Sequence, residues 1–317
     1  MSDKPIAICL MGATATGKSA LALALHDVLP VEIISVDSSQ VYRGMDIGTA
    51  KPTPQEQARA PHRLIDIRDP SEAYSAADFC TDALREMEAV RQAGRIPLLV
   101  GGTMFYFHAL EFGLSPLPSA DPELRARLTG EAARIGWPAM HAQLAEIDPL
   151  TAGRIHPNDA QRIQRALEIY ELTGQTPSRL NESAPRPERW RYVKIALQVP
   201  DRPLLHERIA ARFRNMLEQG LVEEVEALYR RGDLSPVLPS VRTVGYRQIW
   251  DYLTNKINYS QMSEAAIATT RQLAKRQLTW LRSYPGVQAF EGGEQAPVLA
   301  CLEYLAQTAG VAPEQRL

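Results

Sequence analysis

Residues 12–19, Gly-Ala-Thr-Ala-Thr-Gly-Lys-Ser, form the pattern GxxxxGKS, set between an apolar run of strand length, Pro5 to Met11, and a helical run, SALALALHDVL. That order constrains the fold more than any other feature of the chain. A strand feeding a glycine-rich loop and then a helix is the setting of a P-loop. The backbone N–H groups of Gly12, Ala13, Thr14, Ala15, Thr16 and Gly17 converge there on phosphate oxygens, and the helix N-terminus adds a favourable dipole. Lys18 supplies a mobile positive charge and Ser19 a hydroxyl for Mg²⁺. The bland alternative is a glycine-rich turn that holds no ligand.

Further apolar runs follow at Val31 to Val36, Leu64 to Ile67 and Ile96 to Val100, each read as a buried strand, with helical patterns between them. One helix is well marked: Ser75 with Asp78 makes a capping-box start, and Gly94 stands after its end. Strands and helices in alternation give an α/β fold, a P-loop parallel sheet flanked by helices. From Asp121 to Arg189 only helical patterns appear, punctuated by Pro122, Pro138, Pro149, Pro157 and Pro177, and YVKIALQV at Tyr192 to Val199 returns to strand character. The expected organisation is a first core part at 1–120, an all-helical insertion domain at 121–189, and a second core part with C-terminal helices at 190–317. Arg208 to Arg230 and Ser263 to Ser283 read as long amphipathic helices.

Cys9, Cys80 and Cys301 are far apart and odd in number, so no disulfide framework or CxxC zinc site can be built from them. A buried apolar role is the default for each. The chain lacks an apolar run of membrane-spanning length, and its start, MSDKPIAICL, lacks the pattern of a signal peptide, so a cytoplasmic protein without membrane contact is expected. Nothing demands more than a monomer. The formal net charge of −2 does not announce a nucleic-acid binder. Charge position qualifies that: residues 242–282 carry Arg242, Arg247, Lys256, Arg271, Lys275, Arg276 and Arg282 against Asp251 and Glu264, whereas the tail beyond 283 is acidic. Within the basic segment, Arg271, Lys275 and Arg282 share one side of a helix and suit a phosphate-tracking face, or an ordinary solvated one.

A P-loop identifies a phosphate and leaves the reaction open. LLVGGT at Leu98 to Thr103 offers no carboxylate where a Walker B aspartate belongs, and Asn255-Lys256 begins a guanine-reading NKxD that fails at Asn258. A kinase acting on a small acceptor and a non-catalytic RNA-binding protein both stay open at this point.

The second strand runs into DSSQVYRGMDIGTAKP at Asp37 to Pro52. With GATATGKS before it, this segment closely resembles the tRNA dimethylallyltransferase family, also called isopentenyl-tRNA transferases. The likeness continues in GGTMFY at Gly101 to Tyr106, NDAQRIQRALEIY at Asn158 to Tyr170, RFRNMLEQGLVEEV at Arg212 to Val225, VGYRQ at Val244 to Gln248 and KRQLTWLR at Lys275 to Arg282. It spans about residues 5 to 285. Ala13 and Thr16 depart mildly from the family's usual glycine-rich loop, and Ser19 keeps the hydroxyl of the more frequent threonine.

The resemblance implies transfer of a dimethylallyl group from dimethylallyl diphosphate to the N6 amine of the adenine next to the anticodon in tRNA, with Mg²⁺ as cofactor. An exocyclic amine is a poor nucleophile, and Asp37, at the C-terminal edge of the second strand, is the carboxylate placed to accept its proton. A turn or cap residue, or a water-mediated Mg²⁺ ligand, is the competing reading of Asp37. The family adds Arg212 as a charge on the leaving diphosphate and Thr103 as a neighbour of the adenine. Arg212 could equally be a surface charge and Thr103 a plain turn residue. Ser38, Ser39 and Gln40 offer donors and acceptors for a flipped base, or form an ordinary polar loop. Gln161, Arg162, Ile163, Gln164 and Arg165 are implied to contact tRNA, with Arg162 and Arg165 three apart and able to point together. Arg125 is a weaker candidate of the same kind. Prenylation of free adenine nucleotides is a neighbouring alternative, although a small acceptor needs no helical insertion.

Overall fold

Ile6–Gly12 reads IAICLMG, apolar on both faces, and forms β1 in the interior of a parallel sheet. The computed structural model describes residues 4–115, 117–118, 120–182, 189–292 and 297–312. After β1 come α1 (Lys18–Val28), β2 (Val31–Val36), α2 (Pro54–Arg59), β3 (His62–Arg63), α3 (Ala76–Gln92), β4 (Ile96–Gly101) and α4 (Met104–Phe112). Five helices follow: α5 (Pro122–Ile135), α6 (Trp137–Ile147), α7 (Pro149–Ala152), α8 (Ala160–Thr173) and α9 (Pro177–Glu182). The chain then runs through β5 (Arg191–Gln198), α10 (Arg202–Glu218), α11 (Leu221–Arg230), α12 (Tyr246–Leu253), α13 (Tyr259–Ser283), β6 (Val287–Glu291) and α14 (Val298–Ala309).

Two compact units result, residues 1–109 with 188–317, and residues 110–187. In the first, the strands lie in the order β3-β2-β4-β1-β5-β6, all parallel. Ile8 and Leu10 of β1 pack with Leu21 and Leu25 of α1, Ile33, Leu98, Ile195, and Cys301 and Leu305 of α14. Cys9 and Cys301 are buried as expected, whereas Cys80 is only half-buried, and burial pushes the Cys301 thiol up to about 11, outside the reactive range. The second unit is helical throughout its described residues, with a core of Leu128, Ala132, Met140, Leu144, Ile163 and Leu167. Among the described residues no helix is long and apolar enough to cross a membrane.

The capping box of α3 forms as expected, with Ser75 accepting from the Asp78 amide and Asp78 from that of Ser75. Three other expectations are corrected. Leu64 to Ile67 is not a strand: Leu64 and Asp66 adopt φ of 63° and 56°, a left-handed backbone that cannot continue a ladder. The pairing is confined to His62–Arg63, and the amides of Asp66 and Ile67 instead reach the carbonyls of Gln40 and Val41. Arg208 to Arg230 is not one helix, because Gly220 at φ 97° separates α10 from α11. The acidic tail also yields a strand, β6, which extends the sheet beside β5.

Candidate active site

The loop between β1 and α1 is built tightly. Ala15 has φ 63° and Gly17 φ 94°, so two left-handed residues curl the backbone before Lys18 begins the helix. A Cβ on Gly12 would stand 2.8 Å from the Leu197 carbonyl oxygen, which is why glycine opens the loop. Ala13 and Thr16 are buried, and the Ala13 carbonyl accepts from Thr16 Oγ1 at 2.9 Å and from Lys18 Nζ at 2.6 Å. The lysine thus folds back on its own loop. Removal from water, aided by the nearby Arg212 charge and opposed by Asp37, lowers Lys18 to about 7. Arg212, on α10, is also pushed down by desolvation while Asp37 opposes. The two cations therefore lie close enough on the wall of one cleft to disfavour each other's charge, an arrangement that an anion would relieve.

Asp37 follows β2. Its Oδ1 accepts from the Ser39 amide at 2.9 Å, Ser39 Oγ at 2.6 Å and the Gln40 amide at 3.4 Å. The turn reading of this residue holds for Oδ1, and Oδ2 has no hydrogen-bond partner among the described residues. Ser38 is exposed, and its amide donates to Thr103 Oγ1 at 3.1 Å, tying the end of β2 to the loop after β4. Gln40 turns inward. Its amide accepts from Ser35 and donates to the carbonyls of Thr49 and Ala50, so its role is to shape the loop rather than to offer free donors.

Lys18, Ser19, Asp37, Gln40 and Arg212 line one cleft of about 760 Å³. A smaller recess of about 130 Å³ has a mixed lining, apolar at Ala15, Ile209, Phe213, Leu221, Val244 and Leu273 and polar at Ser39, Thr49, Thr243 and Thr270. Thr14, Asp37, Arg212 and Gln277 belong to both walls. Among the described residues no group of three His, Cys, Asp or Glu could hold a metal ion. The Ser19 hydroxyl and one carboxylate fit Mg²⁺ only as it is usually carried, largely by phosphate and water.

Sequence reasoning missed three residues that shape this site. Glu224 of α11 accepts from the amides of Asp46, Ile47 and Gly48 at 2.9, 2.8 and 3.2 Å. Lys51 is buried and bonds the Tyr42 carbonyl, Asp46 and Asp66. Gln277 of α13 accepts from the Thr14 amide and donates to the Gly102 carbonyl, both at 2.9 Å. One of the expected phosphate-facing amides, that of Thr14, is therefore already engaged. The neighbouring basic residues divide: Lys275 and Arg282 are exposed, whereas Arg271 is half-buried with its Nε unpartnered among the described residues.

In the helical unit, the five residues at 161–165 do not share one surface. Gln161 and Arg162 are exposed, Arg162 pairing with Asp159 at 3.4 Å, while Ile163 is fully buried in the core. Gln164 donates to the Arg125 carbonyl and Thr129. Arg165 is half-buried between Glu168 at 2.5 Å and the Pro118 carbonyl at 2.6 Å, and Arg125 grips the same Glu168 at 2.9 Å. Arg162 and Arg165 thus diverge, because Glu168 is fully buried and needs both Arg125 and Arg165.

The profile of the family described as IPP transferase matches residues 40–284. This chain belongs to that family. The match begins just after Asp37 and takes in Thr103, the helical unit, Arg212 and Gln277. A tRNA dimethylallyltransferase of Thioalkalivibrio sulfidiphilus is 60% identical over 288 residues, 90% of each chain. Among solved structures, a full-length tRNA isopentenylpyrophosphate transferase of Bacillus halodurans is similar with a TM-score of 0.70 and 38% identity, over 97% of this chain and 96% of that one. A eukaryotic dimethylallyltransferase acting on tRNA gives 0.77 and 27% identity, over 96% of this chain and 77% of that one.

Proposed function

We propose that this chain transfers a dimethylallyl group from dimethylallyl diphosphate to the N6 amine of the adenine next to the anticodon in tRNA, releasing diphosphate. One observation carries the reading. The cleft that holds Lys18 and the smaller recess, one side of which is formed by Ile209, Phe213, Leu221 and Leu273, share Thr14, Asp37 and Arg212, so an anionic head and a short hydrocarbon tail can lie side by side at one carboxylate.

In this reading the loop amides, Lys18 and Arg212 bind the diphosphate and stabilise the charge it gains as it leaves. Mg²⁺, held at Ser19 with the phosphates, would add charge neutralisation when bound. Asp37 Oδ2 accepts the N6 proton as the N–C bond forms and the C–O bond breaks, with the bonding pair leaving on diphosphate. Thr103 and Ser38, already linked, border the adenine, with Ser39 and Gln40 holding the loop in shape. Gln161 and Arg162 contact the tRNA backbone, while Arg125, Ile163, Gln164 and Arg165 keep that helix in place. Work on tRNA sets the protein in the cytoplasm, and one chain carries every group the reaction uses.

The test is mass spectrometry of nucleosides from unmodified tRNA incubated with protein, Mg²⁺ and dimethylallyl diphosphate. A gain of one dimethylallyl group on the adenosine beside the anticodon is expected. Transfer of the ATP γ-phosphate without any prenylated adenosine would replace this reading with a kinase.

A further inference from the structure

The two halves of the site are joined by a continuous set of contacts through one side chain. Gln277 Oε1 accepts from the amide of Thr14 in the P-loop, and its Nε2 donates to the carbonyl of Gly102. The next residue, Thr103, accepts the Ser38 amide through Oγ1, and Ser38 follows Asp37. Gly102 permits the approach, since a Cβ there would stand 2.5 Å from Gln277 Nε2. Gly101 does the same below it, where a Cβ would meet the Val36 carbonyl oxygen at 2.0 Å. Gln277 also lines both the cleft and the recess.

We infer that Gln277 is a positioning residue, setting the phosphate-binding loop and the Asp37–Thr103 acceptor edge at a fixed separation and passing loop movements from one to the other. The inference rests on the proposed transfer for its catalytic consequence, though not for the coupling itself. An amide suits the task because it must accept on one side and donate on the other. Leucine can do neither, and glutamate can only accept until it is protonated. A small misplacement of reacting atoms costs about 100-fold in rate even when both substrates bind.

The first experiment needs no turnover. Inorganic diphosphate titrated into ¹⁵N-labelled wild type should shift the Thr103 and Ser38 amide resonances together with those of the P-loop. In Gln277→Leu the P-loop resonances should still move while those of Thr103 and Ser38 stay. Equal movement in both proteins overturns the coupling whatever the enzyme catalyses. The second is single-turnover prenylation, after wild type has been shown to modify tRNA. Gln277→Leu should bind diphosphate and tRNA within about 3-fold of wild type and react about 10- to 100-fold more slowly. Gln277→Glu should regain part of the rate, relative to wild type, as pH falls from 8 to about 5.5 and its carboxyl begins to donate. Packing alone would not produce that recovery. A rate within about 2-fold of wild type in folded Gln277→Leu, or a loss explained wholly by weaker diphosphate binding, removes the positioning role. Failure of wild type to prenylate tRNA would overturn the proposed function and leave the resonance test standing.

Discussion

The Tyr246 hydroxyl donates to Glu224 Oε1 at 2.5 Å, and the same carboxylate gathers three successive amides of the loop that follows β2. A Cβ on Gly48 would stand 2.5 Å from the Tyr246 ring, so the loop, the carboxylate and the phenol fit in one arrangement. Gly48→Ala should cost about 2 kcal/mol by overpacking, and Glu224→Ala about 1 kcal/mol by leaving half-buried amides without their protein acceptor. Urea unfolding midpoints of the two variants measure this, and midpoints equal to wild type would show that the clamp contributes nothing.

Asp37→Asn tests the base. Because Oδ1 alone closes the turn, asparagine can keep accepting from Ser39 and Gln40, and the loop should hold its shape. Single-turnover prenylation should nevertheless fall by about 100- to 10,000-fold, the usual contribution of a general base. Wild-type turnover in this variant would leave Asp37 with the turn alone.

Lys18 should make diphosphate binding pH-dependent. With its ammonium lowered to about 7 in the ligand-free site, an arriving anion raises it again, so binding above pH 7 takes up a proton. Below about 7 the lysine is already charged and no uptake from it occurs. Diphosphate affinity should therefore weaken as pH rises from 7 to 9, and calorimetry in buffers of different ionisation enthalpy should register the uptake. Lys18→Met removes that component and leaves only the titration of diphosphate itself. Identical proton uptake by the two proteins would count against the assignment.

The two arginines of α8 should separate. Arg162 is 71% exposed in its side chain, so Arg162→Ala should leave stability alone and lower the slope of log tRNA affinity against log salt by about 1 unit. Arg165→Ala removes a partner of the buried Glu168 and should destabilise the helical unit by about 2 kcal/mol, less than a fully buried pair would cost because Arg165 keeps some water. Burial works to raise the Glu168 carboxyl, but Arg125, Arg165 and the Asp121 amide outweigh it and hold it below the usual range. Its stabilisation is complete above the ordinary glutamate range and is lost as pH falls through the depressed value. Thermal melts and salt titrations of both variants decide the matter; equal salt slopes with equal melting would restore a shared face.

The P-loop, the alternation of strands and helices and the helical insertion were legible because each rests on local pattern: GxxxxGKS between two apolar runs, and proline-punctuated helices after Asp121. The position of Asp37 directly after β2 was legible from the end of the apolar run. Gln277 and Glu224 were not, since their partners lie far away in the chain and a lone polar residue on a helix carries no periodic signature. Leu64 to Ile67 misled for the opposite reason: four residues of strand composition give no sign that Leu64 and Asp66 take left-handed backbone. The turn of Arg165 away from Arg162 was equally invisible, because it follows from the burial of Glu168.

β1 lies between β4 and β5, and the second of these partners begins at Arg191, beyond the whole helical unit. The β5 side of β1 therefore cannot be paired before the chain has been made past Gln198, whereas its β4 partner lies earlier in the sequence. The helical unit is contiguous in sequence and finds its core partners among its own residues, so it can condense while that edge waits. The wall of the P-loop supplied by Leu197, against which Gly12 lies, is among the last pieces of the site to arrive. A chain truncated before β5 would present β1 as an exposed apolar edge strand where the complete protein pairs it on both sides.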